Sequence, residues 1–437
     1  MRTAIIGGGA AGFFVAINLK ELCPQMEVTI FERSHHLLRK VKVSGGGRCN
    51  CTNTFAAIRD LSEAYPRGHR LMKRLMKGFS ERDAYAWFES HGVPLTVQPD
   101  GCVFPAAQDS QAIIDCFLRH AQRLGIDIRT DSAVASLNFN DNLNPNDNLN
   151  SSSSASLSPS FSPLFEREGA GVSPRGLGGE SFIVLTTGGQ PSMSGLRWLA
   201  DLGHEIVPPV PSLFTFSIED EQLRGLMGTV VDHTESAPAA PNVTAFIPGT
   251  KFRAEGALLI THWGMSGPAI LKLSSYAARY LADNAYHAPL AINWTGLNED
   301  EVRQHLAALF AQYPSRLLAN LHPFGLPSRL WTYLLDKASI EGTAAALSKK
   351  YFNRLVTLLT ADTYAIASRA PFKDEFVTCG GVALTAVNPS TLESRHCPHL
   401  FFAGELLDID GITGGFNFQA AWTTAYTVAR AIAVTAS

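Results

Sequence analysis

An α/β fold of Rossmann type, assembled from both ends of the chain around an inserted domain, is what the sequence predicts, and three observations carry it. Residues 3–12 read TAIIGGGAAG, an apolar run passing straight into Gly7, Gly9 and Gly12. Residues 27–32 read EVTIFE, a second extended run that ends on an acid, Glu32. Residues 400–433, LFFAGELLDIDGITGGFNFQAAWTTAYTVARAIA, return to the same style with a strand, a loop and a long helix.

The first element is a strand that ends in a dinucleotide-binding turn. Such a turn exposes backbone N–H groups at the start of the following helix, where the helix dipole favours a pyrophosphate. Gly7 permits the tight turn, Gly9 lets a pyrophosphate approach, and Gly12 lets helix and strand pack closely; Ala10 and Ala11 lie between them. Residues 13–22, FFVAINLKEL, read as an amphipathic helix. Glu32 stands twenty positions beyond Gly12, where a carboxylate accepts hydrogen bonds from an adenosine ribose, and Arg33 follows it. Read alone, the turn admits either NAD or FAD and names no reaction.

Composition narrows the rest. A chain of 437 residues is too long for one ordinary core and suggests two or three domains at about 150 residues each. The apolar fraction of 46% is that of a globular soluble protein, and no run approaches the roughly 20 apolar residues of a membrane span. A net charge of −3 gives no global field for nucleic acid. Cys23, Cys49, Cys51, Cys102, Cys116, Cys379 and Cys397 are odd in number and without repeated spacing, which fits a reducing cytoplasm better than a disulfide framework. Cys49 and Cys51 form C-x-C, yet nothing nearby completes a zinc site, so no metal is expected. The N-terminal run lacks a basic stretch before a continuous apolar core, and its glycines interrupt the helix that a secretion signal needs.

Along the chain, residues 108–125 read as a helix and 126–139 as extended. From about 138 to 180 the chain is dominated by Asn, Ser, Pro and Gly, a composition that cannot bury enough apolar surface to offset its ordering entropy, so a mostly disordered insertion is expected there. Residues 182–189, FIVLTTGG, resume as an apolar strand followed by Thr187, Gly188 and Gly189. Beyond Pro208 the character shifts to strand-like pieces around 242–261, a helix at 268–282, the strand LAINW at 290–294, and about three helices over 299–360 broken by HPFGLP. This third has no second glycine fingerprint. The expected division is 1–208 and 371–437 for the nucleotide-binding domain, with an insert over 209–370 that is a β-rich barrel at 209–295 and helical at 296–365.

Four blocks resemble one family. RKVKVSGGGRCNCTN at 39–53, LITHWGMSGPAIL at 259–271, GELLDIDGITGGFNFQAAW at 404–422 and the opening turn stand in the order of the YhiN-type bacterial flavoproteins, also called aminoacetone oxidase family FAD-binding enzymes. The resemblance implies an FAD-binding domain of N- and C-terminal parts around an insert. It implies that residues 7–12 hold the pyrophosphate and Glu32 the adenosine ribose. Lys40, and the loop of Ser44, Gly45, Gly46, Arg48, Cys49 and Asn50, then lie by the isoalloxazine. Thr187, Gly188 and Gly189 pass close to the dinucleotide, Gly404, Glu405 and Asp410 lie near the ribityl chain or flavin, and Gly414, Gly415, Phe416 and Asn417 begin a helix facing its N1 and O2 edge. The family's strand meander falls here on the low-complexity region, where a shortened or displaced version is expected.

The chemistry expected is that of an FAD-dependent reductase of an activated C=C bond, which needs hydride from the flavin and a protein proton donor. Cys49 and His262 are candidate donors, and Arg48 a candidate stabiliser of an anionic flavin or substrate. NAD(P)H is a possible transient electron donor. Within the family, members resemble enzymes that reduce steroid enones or make dihydrouridine in ribosomal RNA, so the substrate is a small molecule or RNA; Lys349, Lys350, Arg354, Lys251 and Arg253 are the basic candidates for the latter. An amine or aminoketone oxidase using oxygen, and a flavin-binding protein without turnover, are the alternatives.

Overall fold

The computed structural model describes residues 1–140, 160–165, 181–232, 242–370 and 377–437. They form two compact units, one of residues 1–209 with 377–437, the other of residues 210–376.

The first unit is built on a parallel five-stranded sheet in the spatial order Leu400–Phe402, Ser181–Leu185, Arg2–Ile6, Glu27–Phe31, Asp127–Arg129. The chain's first strand therefore lies at its centre. Its residues Thr3, Ala4, Ile5 and Ile6 are all buried, the pattern of a parallel strand covered on both faces. Ile5 stands opposite Ile30 on one side and Val184 on the other.

The helix Ala10–Leu22 differs from the amphipathic expectation, since every residue from Ala11 to Leu19 is buried. The closing helix Phe416–Ala436 covers one flank, with the Phe14 ring 5.0 Å from Trp422. The helix Glu81–Ser90, started by a Ser80–Asp83 capping box, covers another, with Trp87 4.5 Å from the same ring. Inside this aromatic cluster Asn18 is satisfied by donating to the Phe14 carbonyl at 2.7 Å and accepting from Trp87 Nε1 at 3.2 Å. The helix Gln111–Arg123 completes the layer.

A three-stranded antiparallel sheet has the spatial order Thr52–Asn53, Cys102–Pro105, Leu95–Val97, so the end of the 39–53 block is its edge strand. In the low-complexity region, Val134–Asn140 pairs antiparallel with Ser160–Phe165, so part of the expected disordered stretch is a hairpin. The remainder of that expectation, 141–159 and 166–180, lies outside the described residues.

The second unit holds two antiparallel sheets. One orders Val230–Val231, Leu258–Ile260, Gly264–Ser266, Phe216–Ser217 and Ser368–Arg369; the other orders Arg253–Glu255, Thr244–Phe246, Ala288–Asn293 and Asp362–Ile366. Three helices, Glu299–Gln312, Ser328–Ala338 and Lys349–Ala361, run in the chain between the strands Ala288–Asn293 and Asp362–Ile366. The expected helix at 268–282 is two helices, Pro268–Tyr276 and Ala278–Asp283, which meet at Ala277. Residues 362–366, expected in the helical half, form a strand instead: Asp362, Tyr364 and Ile366 point inward in alternation, and the segment pairs with 288–292.

At that strand's start, fully buried Asp362 accepts from Lys337 Nζ at 2.7 Å, Tyr364 Oη at 2.5 Å and Trp294 Nε1 at 3.1 Å. It ties the helix Ser328–Ala338 to the sheet. Removing one partner of such a cluster leaves a cation and two donors without their acceptor, so Asp362→Ala is expected to lower stability by about 3 kcal/mol in urea unfolding. A second expectation concerns pH. Burial, with His91, Arg123 and Arg119 nearby, holds the His120 imidazole down to about 4 against the pull of Glu21. The folded state keeps His120 neutral while the unfolded chain protonates it, so its contribution is present above 6.5 and is lost as pH falls toward 4. His120→Leu should flatten the loss of urea midpoint over that range.

Candidate functional site

Residues 7–12 turn at the carboxyl end of the central strand. Gly7 has φ 118°, and a side chain there would run into the Thr186 backbone; one at Gly12 would collide with the Gly7 carbonyl. At Gly9, by contrast, a Cβ would meet open space. Gly9 is the N-cap of Ala10–Leu22, which has no side-chain cap and no acid in its first turn, so its leading N–H groups are left for a ligand. Thr186 pins the turn from the neighbouring strand, its hydroxyl reaching the carbonyls of Gly7 at 2.9 Å and Ile6 at 3.1 Å.

Glu32 is half-buried beside this turn. Its Oε1 accepts from the Ser34 amide and hydroxyl at 2.9 and 3.0 Å, whereas Oε2 accepts only from the Gly8 amide at 2.8 Å among the described residues. Each carboxylate oxygen has two lone-pair sites, so one remains on Oε2 for a hydroxyl. Arg33 is exposed.

The 39–53 block is a short helical stretch that breaks at Ser44 into three consecutive left-handed residues, Gly45, Gly46 and Gly47 at φ 56°, 68° and 85°. Side chains at Gly46 and Gly47 would find nothing within 4 Å. Ser110 clamps the loop from outside, its amide donating to the Gly47 carbonyl at 2.8 Å and its hydroxyl to the Lys42 carbonyl at 2.9 Å. Arg48 lies back over this loop, with its guanidinium carbon 4.2 Å from the Phe104 ring centre. Cys49 is fully buried at φ 61°, and burial pushes its thiol up to about 12 despite a hydrogen bond with Ser44. With its amide oriented to satisfy both neighbours, Asn50 donates to the Thr52 carbonyl at 2.8 Å and accepts from the Gly415 amide at 3.3 Å.

The C-terminal residues converge on the same region. Glu405 accepts from Lys40 Nζ at 2.6 Å and from the Thr378 amide at 2.8 Å, and any side chain at Gly189 would strike both Glu405 and Thr378. Gly188 has φ 75° and open space, and Thr187 is exposed. Gly404 is so close to Ala11 that an added Cβ would come within 2.9 Å of it, while the Gly404 amide donates to Thr424 Oγ1 at 2.9 Å. Gly414 and Gly415 cross the 50–53 segment backbone to backbone: Asn53 Nδ2 donates to the Gly414 carbonyl at 2.9 Å, and a side chain at Gly415 would collide with the Thr52 carbonyl. The helix Phe416–Ala436 then begins with neither a side-chain cap nor an acid in its first turn.

Other members of the expected set turn away from open space. Asp410 is fully buried and paired through both oxygens with Arg67. Phe416 is buried beneath Phe55, whose ring centre is 4.9 Å away. The Asn417 amide pairs with both backbone groups of Gly411, at 2.8 and 2.9 Å, and braces the loop. His262 belongs to the second unit, exposed at the tip of a hairpin closed by Thr261, whose hydroxyl accepts from the Trp263 amide at 3.2 Å. Sequence reasoning passed over Thr186, Phe104, Gln108, Ser110, Thr378 and Thr424. Thr186 alone carried a signal, as the residue before the paired Thr187 and Gly188 at a strand end.

Two models of one family match this chain, that of the HI0933-like protein Rossmann domain over residues 1–158 and that of the HI0933-like protein barrel and H2TH domain over residues 210–377. The chain belongs to the HI0933-like family. HI0933-like proteins are FAD-dependent oxidoreductases, and this chain is one of them. It is 25% identical over 434 residues to a 3-dehydro-bile acid delta(4,6)-reductase of Clostridium scindens, covering 99% of each chain. It is 26% identical over 431 residues to a ribosomal RNA dihydrouridine synthase of Haemophilus influenzae, covering 98% of this chain and 97% of that one. Among solved structures it is similar to a 3-ketosteroid-delta4-(5alpha)-dehydrogenase from Rhodococcus jostii, at 14% identity and a TM-score of 0.47, over 98% and 96% of the two chains. Among the described residues no helix is long and apolar enough to cross a membrane, and no group of three His, Cys, Asp or Glu could hold a metal.

Cys49 offers a direct check on the loop. A buried thiol held near 12 stays protonated at neutral pH, so iodoacetamide should leave it unmodified in the native protein and alkylate it within minutes in urea, as peptide mass spectrometry would read.

Proposed function

We propose that this HI0933-like chain holds FAD across the first unit and reduces a carbon–carbon double bond conjugated to a carbonyl. The observation that carries the reading is the convergence of two uncapped helix starts, at Gly9 and Gly415, with three glycine positions, Gly9, Gly46 and Gly188, where backbone borders open space. Uncapped N-termini favour anionic groups, and backbone without side chains admits close approach of a planar ring.

In this reading the amides after Gly9 hold the pyrophosphate, with Gly12 allowing the helix to sit close. The spare lone pair of Glu32 Oε2 takes an adenosine ribose hydroxyl. Lys40 and Glu405, locked together at 2.6 Å, border the ribityl side with Gly189 and Gly404. Residues 44–47 lie along the isoalloxazine, and the amides opened by Gly414 and Gly415 face its pyrimidine edge. FAD, when bound, supplies the two-electron chemistry. Arg48 then donates hydrogen bonds to the substrate oxygen on which charge develops. Cys49 serves as packing, since a fully buried thiol at about 12 releases no proton near neutral pH, and the proton that accompanies the hydride comes from solvent water.

The substrate class follows from what the two relatives' names share. A bile acid with a delta(4,6) system and a uridine ring both present a C=C bond conjugated to a carbonyl, and saturating either requires an external two-electron donor. We assign that donor to NADH or NADPH docking transiently. A reducing compartment suits seven cysteines that are all buried and in no disulfide among the described residues. Of the basic side chains in the insert, Lys251, Arg253, Lys349 and Lys350 are exposed, while Arg354 donates to the Lys337 carbonyl at 2.9 Å.

The test is anaerobic. Purified protein reconstituted with FAD should bleach on addition of NADH or NADPH and recover its colour when androst-4-ene-3,17-dione, or an rRNA fragment containing uridine, is added without oxygen. A colourless protein that takes up no FAD would overturn the reading, and so would recovery only with oxygen and peroxide release. Binding of the rRNA fragment at several salt concentrations separates the substrates, because a phosphate-contacting groove loses affinity steeply with salt.

A further inference from the structure

We infer that Phe104 and Gln108 are positioning residues that fix the Arg48 guanidinium so that its Nη2 edge is presented to the substrate carbonyl oxygen. The inference rests on the reading of the first unit as an FAD-dependent reductase of a conjugated double bond.

Arg48 follows directly on the glycine loop, and three restraints act on its guanidinium. Nε donates to the Gly45 carbonyl at 3.2 Å, Nη1 donates to Gln108 Oε1 at 3.3 Å, and the plane lies over the Phe104 ring at 4.2 Å. A guanidinium carries five N–H donors in a rigid fork. With one face on an aromatic ring and Nε and Nη1 both engaged, the edge formed by Nη2 has no acceptor among the described residues. A donor fixed before the reaction stabilises developing charge without reorganising.

Both supports are themselves fixed. Phe104 is buried within the strand Cys102–Pro105, and its ring also lies under the loop, where a Cβ at Gly45 would stand 3.0 Å from it. One ring therefore sets the height of the loop and the plane of the guanidinium together. Gln108 occupies a left-handed turn position at φ 53°. Its backbone amide and its Nε2 both donate to the Pro105 carbonyl, at 2.9 and 3.1 Å, which turns Oε1 outward as the acceptor for Arg48. Neither residue reaches past the arginine, so each acts through it.

The experiment uses 4-chlorophenol, whose phenolate imitates the oxygen of an enolate, titrated into FAD-reconstituted protein across a pH series and read by its long-wavelength absorption and by bound flavin. Wild type should bind more tightly as pH rises and the phenol ionises, and Arg48→Met should lose that pH dependence. Gln108→Ala, on an exposed turn, should weaken phenolate binding about three- to tenfold with flavin content unchanged, and Phe104→Leu should weaken it by a similar factor per bound flavin. Phe104→Trp, which keeps the cation–π face, should bind the phenolate more tightly than Phe104→Leu. The inference is overturned if Gln108→Ala and Phe104→Leu titrate like wild type while Arg48→Met does not, or if Arg48→Met itself titrates like wild type. Protein that binds no FAD at all overturns the reductase reading instead.

Discussion

The pairing of Leu400–Phe402 with Ser181–Leu185 is the contact on which the rest of the first unit depends. It joins segments more than two hundred positions apart, and it sets the last segment of the chain in the same sheet as the strand that ends in the glycine turn. Once that strand is placed, Gly404 presses on Ala11, Thr424 meets the Gly404 amide, and the closing helix lies along the opening one. Doubling the length of a closed loop costs only about 0.6 kcal/mol, whereas burying one large aromatic ring removes about 150–250 Å² from water and returns about 4–6 kcal/mol. Trp422, fully buried against Phe14 and Phe88, thus outweighs the distance its segment travels.

That closure also explains why glycine recurs where the two ends meet. Gly7 against Thr186, Gly12 against Gly7 and Gly415 against Thr52 are crossings of backbone on backbone, and Gly404 lies against the Ala11 side chain, each with no room for a Cβ. Polar side chains then satisfy the carbonyls and amides that such crossings strand. Trp422 Nε1 donates to the Cys51 carbonyl at 2.7 Å, and Thr52 Oγ1 donates to Gln419 at 2.6 Å, both inside the core. The open glycines, Gly9, Gly46 and Gly188, are a separate class whose missing side chains face space.

Residues 2–32 were legible because strand, turn, helix and acid follow one another locally, and 400–433 because its glycines precede a long apolar helix. The sequence misjudged the helix Ala10–Leu22 as amphipathic: its polar positions are few, and what buries its remaining face comes from residues 81–90 and 416–436, which no local pattern announces. Asp362–Ile366 failed for the opposite reason, since a short alternating run directly after a helix is outweighed by the helical pattern before it. At the site the glycines and Glu32 could be read, whereas the roles of Asp410 and Asn417 could not. A carboxylate looks the same in sequence whether it faces a ligand or, like Asp410, is spent on an arginine 343 positions away. Ser110, Phe104 and Gln108 had no motif because their task is to hold a loop whose own motif is what the eye finds.

The strand Ile206–Ser212 is hydrogen-bonded to Val377–Val382, and at Gly380 the two backbones approach until no side chain fits beside Pro208. The chain therefore leaves the first unit and comes back to it through adjacent strands of one ribbon. An exit and a return that are hydrogen-bonded to each other make the interruption a single point of the first unit, so the length and sequence of what lies between them place no demand on the register of its five-stranded sheet.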